Sequence, residues 1–401
     1  MTCLNKTSGF PVLTCCLHQP ESDTAMEPAP KKKILVVSRC AWTLYNFRRG
    51  LILALMANGY DVVCGGAGGD GFEKKLADLG IVFEPLPVDK RGINPLADIR
   101  LTLAMYLWYR RHRPDVVHHF TIKPVIYGSV AARLARVPRI VNTITGLGYV
   151  FTGEKTTWLR RMVQNMYRVS NHLAHFTFFQ NAEDRDFFVN QKLVSCSRTD
   201  ILPGSGVDCG FFSPRSCVEG PPLVLMVARM LKDKGVYEFV QAARLARAQF
   251  PGARFMLLGG RDERNPSVVP EADLLRWQEE QIVAWPGEVQ DVRPYLAQAQ
   301  MVVLPSFYRE GVPRSLLEAA AMGKPVITTD SVGCREVVEP GVNGMLVPVK
   351  DPQALADAML ALLQDPGLCQ SMGQAGRSKM EREFDEAGVI RRVMESYKQS
   401  S

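Results

Sequence analysis

Glu310 and Glu318 stand eight positions apart in the stretch Met301 to Asp330, MVVLPSFYREGVPRSLLEAAAMGKPVITTD. Carboxylates at that separation can flank a ligand rich in hydroxyls, because an ionised carboxylate only accepts hydrogen bonds. The same stretch offers a place for phosphate: a helix opening near Pro313 would turn the backbone N–H groups of Arg314 and Ser315 toward an anion. Hydroxyls at one end and phosphate at the other describe a sugar nucleotide. The elements needed to hold such a ligand are legible around the two glutamates. Val302-Val303-Leu304 and Pro325-Val326-Ile327-Thr328 are short apolar strands. Between them a helix with Pro313 in its first turn and Gly323 at its close puts Leu316, Leu317 and Ala320 on one face, and Ser315, Glu318 and Met322 on another.

A second charged pair, Arg229 and Lys234, lies in the loop after the apolar strand Leu223 to Val227. Ligands of open parallel sheets collect beyond the carboxyl ends of strands, so two cations there fit a diphosphate clamp, against the alternative of a solvated loop. Other groupings carry less. GGAGGDG, Gly65 to Gly71, contains Gly-x-Gly-x-x-Gly, but it follows the second strand and no acidic residue ends a strand about 20 positions on, so a flexible loop is expected. Asp184 and Asp186 resemble a metal-binding pair, yet they fall inside a helical pattern capped by Asn181, which makes a solvated helix turn the expectation. His118, His119 and Lys123 are placed in the loop HHFTIKP after a strand ending at His118. The ten cysteines form no Cys-x-x-Cys pair and the six histidines show no metal-ligand spacing, so reduced thiols, a cytoplasmic setting and no metal site are expected.

The 401 residues are 46% hydrophobic, enough for two cores, and no apolar run reaches the ~18 residues that span a bilayer. Charge is uneven: residues 1–208 hold 26 Lys+Arg against 17 Asp+Glu, and residues 209–401 hold 22 against 24. A basic first half points to an anionic partner, either phospholipid or a diphosphate substrate, while no nucleic-acid-binding motif accompanies the charge. Residues 1–30 lack an apolar signal core and are expected to be disordered, with Met26 a candidate start of translation. From Ile93 to Arg113 a helical pattern mixes Met105, Leu107, Trp108 and Tyr109 with a basic end at Arg110, Arg111 and Arg113. It suits a helix lying on a bilayer and equally a core helix with a cationic C-terminus. Arg160, Arg161 and Arg168 share a later helix, and ILPGSGVD, Ile201 to Asp208, has the composition of a hinge.

The two glutamates within EGVPRSLLEAAAMGKPVI, together with Arg229, Lys234, GSGVDCGFFSP and GVNGMLVPVKDPQALADAMLALLQDP, resemble the retaining glycosyltransferases of family 4. TLYNFR, LLGGRDERNPS and EGVPRSLLEA are similar to the bacterial N-acetylhexosamine transferases that extend polyprenyl-diphosphate-linked glycans at the inner face of the membrane. The resemblance covers residues 33 to about 398. It implies an α/β chain of two facing Rossmann-like domains, the GT-B fold, with a deep cleft between them. The domains would be residues 31–205, meeting acceptor and membrane, and 206–382, binding the donor, with residues 383–401 crossing back.

Carried onto this sequence, the resemblance assigns Arg229 and Lys234 to the donor diphosphate, Glu318 to the ribose, and Glu310 with Gly311, Val312 and Pro313 to the transferred sugar. Gly260, Arg261 and Val289 join Arg314 and Ser315 on the donor side, and Lys123, His119, Asn46, Arg48 and Gly146 on the acceptor side. The partners implied are a UDP-sugar, a polyprenyl-diphosphate-linked glycan and the inner membrane surface, with no cofactor and no nucleic acid. Relatives often place a histidine after the fourth strand, where this chain has ITGLGYVF, so no sugar-contacting histidine is assigned there. Two other outcomes stay open: a sugar-nucleotide epimerase on the same scaffold, and a non-catalytic subunit of a transferase complex.

Overall fold

The computed structural model describes residues 31–89, 94–147, 157–215, 220–263 and 265–398. The leader 1–30, Ile93, the stretch Gly148 to Phe151 and Arg264 lie outside the described residues. From Lys32 onward the chain is one compact unit.

Its first half alternates strand and helix: β1 (Lys33–Cys40), α1 (Ala41–Ala57), β2 (Asp61–Ala67), α2 (Phe72–Ala77), β3 (Val82–Pro85), α3 (Pro95–His112), β4 (Val116–Phe120), α4 (Ser129–Leu134), β5 (Arg139–Ile144), α5 (Thr157–Leu173), β6 (Phe176–Phe179), α6 (Ala182–Asn190) and β7 (Thr199–Ile201). These strands pair in parallel in the order β3-β2-β1-β4-β5-β6-β7. The second half continues with β8 (Leu223–Val227), α7 (Val236–Gln249), β9 (Arg254–Leu258), α8 (Glu271–Glu279), β10 (Ala284–Gly287), α9 (Arg293–Gln298), β11 (Ala299–Leu304), α10 (Arg314–Ala321), β12 (Val326–Thr329) and β13 (Gly344–Val347). They form a second parallel sheet, β10-β9-β8-β11-β12-β13. Helices α11 (Pro352–Gln364), α12 (Pro366–Lys379) and α13 (Glu386–Lys398) close the chain.

Both sheets are covered on both faces, which is why their central strands are continuous apolar runs. β1 shows the consequence of a two-residue period: Ile34 and Val36 enter the core shared with α1 and α13, whereas Leu35 and Val37 enter the core shared with α3 and α4. Helix α13 therefore belongs to the first lobe although it ends the chain. Val389, Val393 and Tyr397 are buried there, and the Tyr397 hydroxyl lies 2.6 Å from His118 Nδ1. Where the chain crosses back, Val207 N–H donates to the Phe384 carbonyl at 2.9 Å and Glu386 N–H to the Val207 carbonyl at 3.0 Å. The outgoing hinge and the returning segment are thus one short parallel pairing.

Helix α3 starts and stops for local reasons. The Asn94 side chain accepts from the N–H groups of Leu96 and Ala97, Pro95 occupies the first turn, and Arg113 leaves the helix in the left-handed conformation. Three expectations change in detail. β4 runs on to Phe120, so His118 and His119 are strand residues with no exposed surface, not loop residues. Gly65 and Gly66 lie inside β2, and the loop after it is tied down by Asp70, whose carboxylate accepts from Trp42 N–H at 3.0 Å and Phe72 N–H at 3.2 Å; it is not a free loop. Pro313 is the residue just before α10, not within its first turn, and Gly323 follows the helix with φ +71°.

Packing of α12 on the turn after α10 leaves Gly373 against the Gly323 carbonyl, where an added Cβ would overlap that oxygen. Gly373→Ala is therefore expected to destabilise by ~1–3 kcal/mol. Gly388→Ala, in α13 with nothing near the new methyl, should stabilise by ~0.4–1 kcal/mol. Urea unfolding midpoints of the two variants check the pair, and equal shifts would contradict the packing described.

Candidate active site

The residues expected to do chemistry emerge at the carboxyl ends of the second sheet, on either side of the point where its strand order reverses between β8 and β11. Lys234 closes a 3₁₀ turn, Lys232–Lys234, and Gly235 follows it with φ +80°. A side chain at 235 would be both strained and driven into the Pro305 carbonyl, so glycine lets the start of α7 meet the end of β11. The approach is stitched by Phe307 N–H donating to the Asp233 carbonyl at 3.0 Å and the Ser306 hydroxyl donating to it at 3.2 Å. As a result Lys234 Nζ reaches Glu310 Oε1 at 2.5 Å, and the Ser306 hydroxyl lies 2.8 Å from the same oxygen. Arg229 is half-exposed and pairs with Asp262 at 3.0 Å. The two cations were expected in an open cleft; Arg229 is, but the Lys234 side chain is only 15% exposed because Glu310 covers it.

Glu318 lies off the apolar face of α10, as its spacing requires, yet it is not solvated. Its side chain is 14% exposed, and burial pushes the carboxyl above its ordinary value while Arg314 opposes the shift. Arg314 Nε donates to Glu318 at 2.8 Å, and its Nη1 donates across the lobes to the Asn46 carbonyl of α1. Ser315 follows in the first turn of α10, where N–H groups have no intrahelical partner. Gly260 accepts from Met230 N–H at 3.0 Å and lies beside Glu288, with Val289 half-buried next to it against the second core. Arg261 pairs with Glu271 at 2.8 Å and bonds the Val269 carbonyl at 3.3 Å.

Between the lobes the loop from Arg309 to Pro313 is tightly held. An added Cβ at Gly311 would overlap Gln180 Oε1 and come within 2.7 Å of the Thr145 carbonyl, both in the first lobe. Gly146, at φ +123°, approaches Gly311 N so closely that a Cβ would sit 3.0 Å from it. Val312 packs against Gly204 of the hinge. Gly146 thus meets the Glu310 loop directly, a contact unforeseen from spacing.

The acceptor-side expectations divide. Asn46 is anchored to Trp42 by its amide and receives Arg314 on its carbonyl. Arg48 is buried with its guanidinium 4.1 Å from the centre of the Phe120 ring, and burial, with Arg314 adding to it, lowers it to about 9. Lys123 bonds Asp98 at 2.9 Å, and Tyr127 bonds the other oxygen of that carboxylate. His119 cannot touch an acceptor here: it is fully buried, Nε2 lies 2.9 Å from the Tyr109 hydroxyl and Nδ1 2.9 Å from Asn142, and burial lowers it to about 4. It is a core residue. Sequence reasoning missed two polar atoms at the adjacent ends of β1 and β4: Arg39 Nε and Thr121 Oγ1 are buried without a hydrogen-bond partner among the described residues. It also placed Asp184 in a solvated turn, whereas Asp184 is buried and Arg309 of the Glu310 loop bonds it at 2.7 Å. Asp186, two residues on, does face solvent. Among the described residues no group of His, Cys, Asp and Glu is arranged to hold a metal ion.

Comparison with known proteins places this geometry. Residues 33–177 match the model described as glycosyl transferase 4-like, and residues 221–365 the one described as glycosyl transferases group 1. The chain is 27% identical over 380 residues, 91% of its length and 98% of the relative's, to the N,N'-diacetylbacillosaminyl-diphospho-undecaprenol alpha-1,3-N-acetylgalactosaminyltransferase of Campylobacter jejuni. It is 23% identical to the UDP-Gal:alpha-D-GlcNAc-diphosphoundecaprenol alpha-1,3-galactosyltransferase of Escherichia coli, covering 77% of this chain and 80% of that one. Among solved structures, sucrose-phosphate synthase from Thermosynechococcus elongatus superposes with a TM-score of 0.75 at 20% identity, covering 92% of this chain and 99% of that one. Anabaena HepE in complex with UDP superposes with a TM-score of 0.72 at 19% identity, covering 91% and 99%. Each match falls on one of the two parallel sheets, the first on β1 to β5 and the start of β6 and the second on β8 to β13, and the chain belongs to the family 4 glycosyltransferases, with their GT-B fold.

Proposed function

We propose that the protein is a retaining glycosyltransferase that moves N-acetylgalactosamine, or a related N-acetylhexosamine, from a UDP-sugar to a polyprenyl-diphosphate-linked saccharide at the inner face of the bacterial membrane. The observation that carries this reading is Lys234 held against Glu310 and Ser306, with Arg229 on the same loop. Both relatives named above are transferases whose acceptors are diphospho-undecaprenol sugars, which supports the choice of acceptor. In the reaction the bond from the sugar's anomeric carbon to the UDP oxygen breaks, the acceptor oxygen bonds to that carbon on the same face, and the acceptor proton passes to the departing phosphate. Negative charge grows on the diphosphate, where Lys234 and Arg229 stabilise it once it displaces their carboxylate partners. Glu318 then serves the ribose hydroxyls, and Glu310, released from Lys234, the transferred sugar. The test is a donor screen with a short-chain polyprenyl-diphosphate sugar, followed by mass spectrometry. One UDP-N-acetylhexosamine should give a single transfer product; conversion of donor to its epimer without transfer, or inertness with every donor, would replace the reading.

Attachment to the membrane has a structural candidate in α3. Its inner face buries Leu101, Met105, Trp108 and Tyr109, so the aromatic residues are core. Its outer face carries Leu96 (79% exposed), Ile99 (65%), Leu103 (56%) and Leu107 (57%), three and four positions apart on one side of the helix. Arg100, Arg110 and Arg111 are exposed beside this aliphatic stripe. Helix α4 packs against α3 and α5 against α4, and these helices carry exposed Leu134 and Trp158. An apolar stripe edged by arginines fits the interface of an anionic bilayer. Among the described residues no helix is long and apolar enough to cross one.

Arg229→Ala and Lys234→Ala are each expected to lower turnover about 10²–10³-fold, since each removes one charge partner of the leaving group; the melting temperature should change little for half-exposed Arg229 and fall for Lys234, whose loss leaves Glu310 buried without its cation. Transfer should persist in excess EDTA, because the two cations meet the diphosphate charge. Near-wild-type rates in both variants, or loss of transfer with EDTA, would overturn these roles.

Calorimetry with UDP separates the glutamates. Glu318→Gln should weaken UDP binding by about 1–3 kcal/mol. Glu310→Gln should slow transfer while leaving UDP affinity closer to wild type, and equal losses of affinity would contradict the division.

Flotation with phosphatidylglycerol-containing vesicles tests the surface. Binding should be strong at low salt and lost at high salt, since each basic residue contributes about 1 kcal/mol near an anionic surface. Changing Arg110, Arg111 and Arg113 to Glu should abolish it and spare UDP binding. Undiminished flotation of that variant would remove α3 from the interface.

A further inference from the structure

Asp184 and Arg309 form a link that the reaction scheme above leaves unused. Asp184 lies in the first turn of α6, where the Asn181 side chain caps the helix by accepting from Asp184 N–H at 2.7 Å. The Asn181 side-chain amide donates to Asp184 Oδ2 at 3.1 Å, so the carboxylate is fixed by the first lobe's own capping residue. Its other oxygen, Oδ1, takes two donors from Arg309 of the second lobe, Nε at 2.9 Å and Nη2 at 2.7 Å. The Asp184 side chain is only 2% exposed. A carboxylate that deep is costly without a partner, and the partner it has comes from the opposite lobe, 125 positions away.

Arg309 is the residue immediately before Glu310. On the other side of Glu310, Gly311 is pressed against Gln180 and Thr145 of the first lobe. The first lobe therefore grips the chain on both sides of the glutamate, by a buried charge pair before it and a backbone contact after it. Glu310 in turn faces Lys234 and Ser306 of its own lobe. From this arrangement we infer that Asp184 is a positioning residue: through Arg309 it holds in place the loop that carries Glu310 when the lobes are closed, so that the lobe expected to carry the acceptor sets the geometry of the donor site. Glu183, beside it, pairs with Arg335, but both are exposed at the rim. That neighbouring pair is the natural control.

The inference rests on the transferase reading for its kinetic arm only. Hydrogen exchange of the 306–312 segment is read by mass spectrometry in the full chain with UDP bound, without requiring turnover. Asp184→Asn and Arg309→Gln should each speed exchange there tenfold or more, leave exchange in β8 and β9 within twofold, and keep the melting temperature within a few degrees. The double variant should be no worse than either single, and Glu183→Gln should change exchange less than twofold. In transfer assays the same variants should lose about 10²-fold in kcat, the scale of a misplaced reacting group, with the UDP dissociation constant within twofold. Unchanged protection of 306–312, effects that multiply in the double variant, or loss of UDP affinity in parallel would each overturn the positioning role. If wild-type protein transfers no sugar, the functional reading fails while the exchange result still decides the link.

Discussion

The backbone at Gly311 has no spare room on any side. Gln180 and Thr145 press on it from the first lobe, and an added Cβ at Gly333, φ +82°, would overlap its carbonyl from within the second. A loop confined in this way cannot swing independently of the lobes, and it carries Glu310. Where Glu310 meets Lys234 and Ser306 therefore depends on both lobes. Two parallel sheets joined by a hinge at Val207 and a return at Asp385 could otherwise rotate with little resistance, since only a short pairing links them there.

Charge is arranged around the loop so that its cations are not left alone. Lys234 faces Glu310, Arg229 faces Asp262, Arg314 faces Glu318 and Arg309 faces Asp184. In a partly buried cleft an unpaired ion would be expensive, so these pairs neutralise the cleft's charges from within the protein. On the proposed reading two of them are also exchangeable: a diphosphate brings more negative charge than one carboxylate and would take the place of Glu310 and Asp262. Deeper in the first lobe the logic reverses. Arg48 rests over Phe120 with no carboxylate hydrogen bond among the described residues, and burial and Arg48 together hold His118 well below its ordinary value. Both histidines are therefore neutral at pH 7 and serve as packing groups: His118 joins β4 to α13 through Tyr397 and to β5 through Thr143, and His119 joins β4 to α3 through Tyr109 and to β5 through Asn142.

Helix α3 shows how one element can answer two demands. Its inner residues complete the core under β1 and β2, and its outer residues leave an aliphatic stripe edged by arginines. The sequence pattern suited both a core helix and a surface-lying one because each describes a different face.

The strand and helix alternation, the strands buried on both faces, the cations after β8 and the two glutamates, one before α10 and one within it, were all legible in the sequence. They are local or periodic features: apolar runs, a proline before a helix and a glycine after it. The return of α13 to the first lobe was legible too, as a resemblance. What the sequence left undecided depends on residues far apart. That β4 continues through both histidines is settled by partners in β5, α3 and α13. That Arg261 is occupied by Glu271 depends on how the loop after β9 folds onto α8. Asp184 is the clearest case: within its own segment it is a polar residue in the first turn of a surface helix, indistinguishable from Asp186. Only the approach of the second lobe buries it and supplies Arg309, because burial and pairing are properties of the space between chain segments and have no local signature.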